Sequence, residues 1–320
     1  MTSLNVSSSC ASKIQVTHLS SWNYRISATC ALSAILATIL ISVFAIKWIL
    51  LKSTFQSSTK IILLLNIGCA NLHQILYAVL SIDMVYKGFF LTDQPCEWLI
   101  TESDCVPYTV LLYAGISGMF YSQTGVLIER GIATFASNYT TALSRRIGVT
   151  ISTVVVLLSF ITYRTIMWDD PLDGYVLTCF VPSAHSAHRA NWFLFICVCL
   201  TFFNLIASMA VMYYNKVLEY TIDSTHTICI VSLSQFILTL SYSLGLLLLR
   251  CNINQMQIST FLALVVWIYT VPYSALLFPV ILIFRIRATK VLRTRKIQDI
   301  TTIQTDHIEQ IQNIWNTSNF

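Results

Sequence analysis

Residues 121–135 read YSQTGVLIERGIATF: an apolar run that ends in an acid and a base side by side, Glu129-Arg130. What such a pair can do depends on where it lies, and composition answers that first. The 320 residues are 56% hydrophobic and 10% charged, with a mean hydropathy of +0.70. A soluble domain carries about 25% charged residues, so this chain cannot cover a water-facing surface and a bilayer is its natural solvent. Seven segments have the length and apolarity of a membrane-spanning helix: about 26–50, 61–82, 107–128, 147–166, 190–214, 227–249 and 258–284. The expected fold is therefore an all-α membrane protein, a seven-transmembrane helix bundle. Residues 1–25 precede it and a tail, 285–320, follows.

The third segment is interrupted by Gly115 and Gly118 and the seventh by Pro272 and Pro279. Membrane helices tolerate both residue types where neighbouring groups satisfy the backbone. Residues 1–25 are polar and lack the apolar core of a signal peptide, so the first helix is expected to act as its own export signal. Lys and Arg favour the cytoplasmic side. With the N-terminus outside, 13 of the 19 lie inside: Lys47, Lys52, Lys60, Arg130, Arg145, Arg146, Lys216, Arg285, Arg287, Lys290, Arg293, Arg295 and Lys296. An outer N-terminus and an inner C-terminus are expected. Asn5 then begins an outer glycosylation tripeptide, whereas Asn138 would face the cytosol unmodified.

Of ten cysteines, Cys30, Cys69, Cys197, Cys199 and Cys229 fall inside helices and read as small buried hydrophobes. Cys10, Cys96, Cys105, Cys179 and Cys251 fall on or near the oxidising face, where disulfides persist. Five is odd, and connectivity does not follow from sequence. Cys105 and Arg130 are 25 positions apart (130 − 105). At 1.5 Å per residue that is roughly 37 Å, one bilayer crossing with its interfaces. Two readings of the pair follow: an anchor that marks the interface, its charges neutralised or snorkelling, or a latch in which Glu129 holds Arg130 until the bundle opens.

The arrangement resembles the third helix of rhodopsin-type G-protein-coupled receptors, which carry a cysteine bonded to the second outer loop and an Asp/Glu-Arg-Tyr motif at the inner end. The run Asn66-Ile-Gly-Cys-Ala-Asn71 is similar to that family's Asn-Leu-Ala-x-Ala-Asp. More specifically, STKIILLLNIGCANLHQILYAV (58–79) and YSQTGVLIERGIATFASNY (121–139) resemble the nematode serpentine receptor class alpha chemoreceptors. CAS (10–12) and HIEQIQNIW (307–315) extend the resemblance over nearly the whole chain. It implies a disulfide between Cys105 and Cys179, a signalling motif at Glu129 and Arg130, and a G-protein-facing surface that includes Arg145 and Arg146. It also implies a chemosensory receptor at the plasma membrane of ciliated sensory neurons, with a small-molecule ligand and a heterotrimeric G protein as partners. Some positions depart from the larger family. The motif is Glu-Arg-Gly, Asn71 stands where the sodium-site Asp is common, the sixth span lacks proline, and Phe278 precedes Pro279 where that family has Asn.

The tail places Arg285, Arg287, Lys290, Arg293, Arg295 and Lys296 among apolar residues. That suits either a basic amphipathic helix on an anionic leaflet or an ordinary anchor. A ligand pocket is expected in the outer half of the bundle. Its candidates are Tyr113, Ser117, Trp192, Phe195, Tyr242 and Trp267, each of which also suits plain packing. No Asp or Glu sits in the outer half of the third span and no Lys in the seventh, so a small neutral ligand is expected. No catalytic motif, cofactor, metal site or nucleic-acid partner is expected; His185 and His188 have a metal-like spacing but lack further ligands nearby. The rival class is a seven-span ligand-gated channel or small-solute transporter. The charge distribution and the missing internal repeat oppose it.

Overall fold

The computed structural model describes residues 10–53, 55–136, 139–180, 185–217, 222–252 and 255–317. Asn5 and Asn138 lie outside them. A short helix, α1 (Lys13–Leu19), leads into α2 (Trp22–Leu51), α3 (Ser57–Phe90), α4 (Glu102–Phe135) and α5 (Thr141–Ile166). Then come α6 (Ala187–Val217), α7 (Ile222–Cys251), α8 (Ile258–Ile268) and α9 (Val271–Thr317). Helix starts follow capping chemistry: Ser21, Thr101 and Thr140 each accept a backbone N–H of the first turn of α2, α4 and α5. Between the helices, the two-residue strands β1 (Ile100–Thr101) and β2 (Tyr175–Val176) pair antiparallel.

Among the described residues, six helical stretches are long and apolar enough to cross a membrane: α2, α3, α5, α6, Cys229–Cys251 of α7, and Ile258–Leu292 across α8 and α9. The seventh crossing is α4, which matches α3 in length at 34 residues but is more polar. It tolerates that polarity because it runs through the middle of the bundle, packed on α3, α5 and α6. Of its 34 residues 17 are buried, against 9 of 30 in α2. The outer helices turn large apolar side chains outward instead, such as Leu36 and Phe44 of α2, Leu157 of α5 and Ile206 of α6. These suit lipid contact.

Gly115 and Gly118 do not interrupt α4. They let α3 come close: a Cβ at Gly115 would lie 2.8 Å from the His73 Cβ, and one at Gly118 would lie 2.6 Å from the Cys69 Sγ. The seventh span, expected as one helix over 258–284, is two. The chain leaves helical geometry at Tyr269 and Thr270, just before Pro272, which has no N–H to give the Ile268 carbonyl and whose ring would crowd that carbonyl in a continuous helix. Thr270 compensates by donating its hydroxyl to the Leu238 carbonyl of α7 (2.7 Å). Beyond residue 285, α9 continues through the basic stretch as one helix to Thr317, and the Arg287 guanidinium stacks over the Trp48 ring (4.7 Å).

Two disulfides, Cys10–Cys96 and Cys105–Cys179, lie at one end of the bundle. Cys251 is left free and exposed. The expectation of five buried helical cysteines is corrected in part: Cys197 and Cys229 are buried and Cys69 half-buried, but Cys30 and Cys199 face outward from α2 and α6. A thiol is apolar enough to face lipid as readily as core.

Candidate functional site

Two regions stand at opposite ends of the α3–α4 pair. At the end far from the disulfides, Glu129 is fully buried and Arg130 is 5% exposed. The Arg130 Nε donates to Glu129 Oε2 (2.6 Å) and its Nη2 to Oε1 (2.7 Å). The start of α3 supplies the rest of the cage. The Ser58 and Thr59 hydroxyls donate to the two carboxylate oxygens. Arg130 Nη2 also reaches Gln56 Oε1 (2.9 Å) and Thr59 Oγ1 (2.6 Å). From the segment after α4, the Tyr139 hydroxyl donates to Glu129 Oε1 (2.8 Å). Burial, the largest influence on the Tyr139 phenol, pushes its pKa above the ordinary value against the opposing effects of Ser58 and Ser144, so it stays a donor.

Ser58 is held by α5. Ser144 Oγ donates to Ser58 Oγ (2.9 Å) and accepts the Ser58 backbone N–H (3.2 Å). Gly148 makes this approach possible, because a Cβ there would lie 2.5 Å from the Ser58 Cα. The ion pair is therefore clamped by three helices. Buried charges survive only when paired and hydrogen-bonded in this way. Arg145 and Arg146, one turn into α5, are exposed beside it.

At the other end, the Cys105–Cys179 disulfide ties the chain after β2 to α4, and the Thr109 hydroxyl donates to the Cys179 carbonyl (3.1 Å). The next residue, Phe180, packs edge-on against Tyr269, ring centroids 4.4 Å apart. Tyr269 also meets Tyr77 (4.7 Å) and Tyr242 (5.4 Å). Its hydroxyl lies 2.6 Å from the His73 Nε2. The break between α8 and α9 is what puts the Tyr269 ring into this cluster, since Tyr269 is the residue at which α8 ends. The cluster is a closely packed aromatic core under a disulfide-pinned segment.

The six pocket candidates divide. Tyr113, Ser117 and Tyr242 face inward; Tyr113 packs on Phe193 and Tyr242 on Tyr269. Ser117 is fully buried but spends its hydroxyl on the Tyr113 and Ser159 carbonyls. Trp192, Phe195 and Trp267 are 56%, 47% and 47% exposed on the outer surface of the bundle, away from the aromatic cluster. Trp267 donates its indole N–H to Asn23 Oδ1 (2.9 Å) instead. Aromatic residues in a span were read as one inward set, but only the helical phase separates inward from outward. Sequence reasoning missed Phe180 and Tyr269. The first is adjacent to a disulfide cysteine, a legible signal; the second depends on a helix break.

The chain matches the family described as serpentine type seven-transmembrane G-protein-coupled chemoreceptor Sra over residues 5–315. It is 56% identical over 322 residues to serpentine receptor class alpha-1 of Caenorhabditis elegans, covering 95% of this chain and 97% of that one. Class alpha-6 and class alpha-7 of the same nematode are 43% and 41% identical, each over 96% of this chain and 98% of their own. A multi-pass bundle of seven crossings, with an acid-base pair caged at one end and a disulfide-capped aromatic cluster at the other, thus belongs to the serpentine receptor class alpha family of chemoreceptors.

Proposed function

We propose that the protein is a plasma-membrane chemosensory receptor that couples to a heterotrimeric G protein through the face around Glu129, Arg130, Arg145 and Arg146. The observation that carries this reading is the cage on Glu129 and Arg130. Gln56, Ser58 and Thr59 come from the start of α3 and Tyr139 from the segment before α5, so moving those elements away from α4 frees the Arg130 guanidinium from α3 and leaves Glu129, on its own helix, as its remaining partner. A freed guanidinium at the membrane edge suits backbone carbonyls or a carboxylate of a partner. The disulfide end faces the oxidising exterior, which puts the cage and the basic stretch of α9 in the cytosol. A small neutral ligand inserts among the aromatic side chains of Tyr77, Tyr113, Phe180, Tyr242 and Tyr269, and shifts the bundle by binding its open form more tightly. The role is that of a receptor and not an enzyme. Sensory cilia are the expected site of expression.

The test records G-protein recruitment and membrane current together, in cells expressing the wild type or Arg130→Ala at matched surface levels and challenged with pooled neutral volatiles. Recruitment that disappears in Arg130→Ala, with no current in either, is the expected result. A ligand-evoked current indifferent to Arg130 and to G-protein blockade overturns the reading in favour of a channel.

A further inference from the structure

Between the cage and the aromatic cluster lies a polar layer that neither uses. Asn66 of α3, Gln123 of α4 and Gln235 of α7 are 1%, 5% and 2% exposed, and all three line one small cavity with apolar walls that include Leu63 and Phe278. Asn66 Oδ1, Gln123 Nε2 and Gln235 Nε2 are buried without a protein partner. A second cavity shares Gln123 and Ser232 with the first and is lined on its far side by Asn204 and Ser208 of α6. There Asn204 Oδ1 and Ser208 Oγ are likewise buried without a protein partner, although the Asn204 Nδ2 donates to Thr124 Oγ1 (3.0 Å).

An unpaired buried amide or hydroxyl carries the full desolvation penalty of the group, and five converging unpaired atoms are not an accident of packing. Their chemistry selects the occupant. In the first cavity two of the three unpaired atoms are amide donors and one is a carbonyl acceptor. No acidic side chain lines either cavity. A cation is poorly matched to such a set, because it needs oxygen donors all round. A water molecule fits it, accepting from Gln123 and Gln235 and donating to Asn66. It fits whichever end of each amide faces the cavity, since water both donates and accepts. Each cavity has room for about one such molecule.

The geometry points to two internal water sites that share Gln123, whose two amide hydrogens serve one water each. The first water joins α4 to α3 and α7, and the second joins α4 to α6. The seam therefore couples α7 and α6 to α4 through water, and such bridges are nearly as favourable as direct bonds yet re-form in new geometries. It rests on the structure alone and stands whether or not the receptor reading holds.

The test is a structure of the full chain in lipid at a resolution that shows ordered solvent, for the wild type, Gln123→Leu, Gln235→Leu and Asn204→Leu. The wild type is expected to show one peak within hydrogen-bond distance of Asn66, Gln123 and Gln235, and another near Gln123, Asn204 and Ser208. Gln235→Leu should lose only the first, Asn204→Leu only the second, and Gln123→Leu both. Should Gln123→Leu fail to fold, the two other variants still separate the sites. Wild-type cavities that are dry or closed by direct amide–amide bonds overturn the proposal. So does either peak persisting in Gln123→Leu, or a first-site peak that vanishes when choline replaces sodium.

Discussion

On α4, Glu129 and Gln123 lie six positions apart, both buried, and they are treated in opposite ways. Both oxygens of Glu129 are met by side chains from α3, α4 and the segment before α5. The Gln123 Nε2, and the Asn66 Oδ1 and Gln235 Nε2 facing it across the cavity, meet none. A full charge in this setting has no tolerance for a missing partner, because the desolvation of an ion exceeds that of an amide severalfold. An amide can wait for a water. The region with the higher stakes is thus locked by protein atoms, and the region with the lower stakes is left adjustable.

The comparison predicts a ranking. Arg130→Ala leaves a buried carboxylate without its counter-ion and should destabilise the detergent-solubilised protein by about 3–5 kcal/mol in thermal unfolding. If Gln123→Leu proves the more damaging of the two, the contrast between cage and seam is wrong. Cys179→Ser should come next, losing about 2–4 kcal/mol. Phe180 would then leave Tyr269, a change readable in near-ultraviolet circular dichroism. Gly148→Ala should cost about 1–3 kcal/mol, since the new Cβ forces α5 away from Ser58. Its particular signature is higher ligand-free recruitment, because Ser58 would withdraw from Glu129; unchanged recruitment would separate the α3–α5 contact from the latch.

The smallest effect concerns Glu102, at the start of α4 on the disulfide side. Its carboxyl accepts the Gly174 N–H (3.3 Å). Burial first, then Asp170 and more weakly Asp173, push its pKa above 4.5, opposed by the Gly174 hydrogen bond and His185. A raised acid is one whose ionised form the fold disfavours. Its contribution to stability is therefore greatest below pH 4.5, declines as pH rises through the raised value, and is level above it. Glu102→Gln should flatten that part of the stability–pH curve, and an unchanged curve would assign the slope to another group.

Much of this was legible from residue types alone. The apolar runs announced the seven crossings, since hydrocarbon admits little else. The resemblance to a receptor family implied the Cys105–Cys179 bond, which the structure contains, and singled out Glu129 and Arg130, which form an ion pair. Polar residues within an apolar span belong inside the bundle, and Asn66, His73, Gln123 and Gln235 are buried there. Ser241, by contrast, is exposed while Tyr242 beside it is buried, a difference of helical phase. The same phase turned Trp192, Phe195 and Trp267 outward.

What the amino-acid sequence determined by itself was the solvent, the number of crossings and the position of a charged pair at a helix end, because each depends on local composition and length. Only the tertiary structure decided which partners those charges meet. Gln56, Ser58 and Thr59 lie about 70 positions before the pair and Tyr139 ten after it, and no local pattern brings them together. The same holds for the aromatic cluster, which needs a disulfide to lower Phe180 and a helix break to insert Tyr269. Burial of a charge or an amide is a long-range event, and its partners are chosen by helix packing and not by neighbours in the chain.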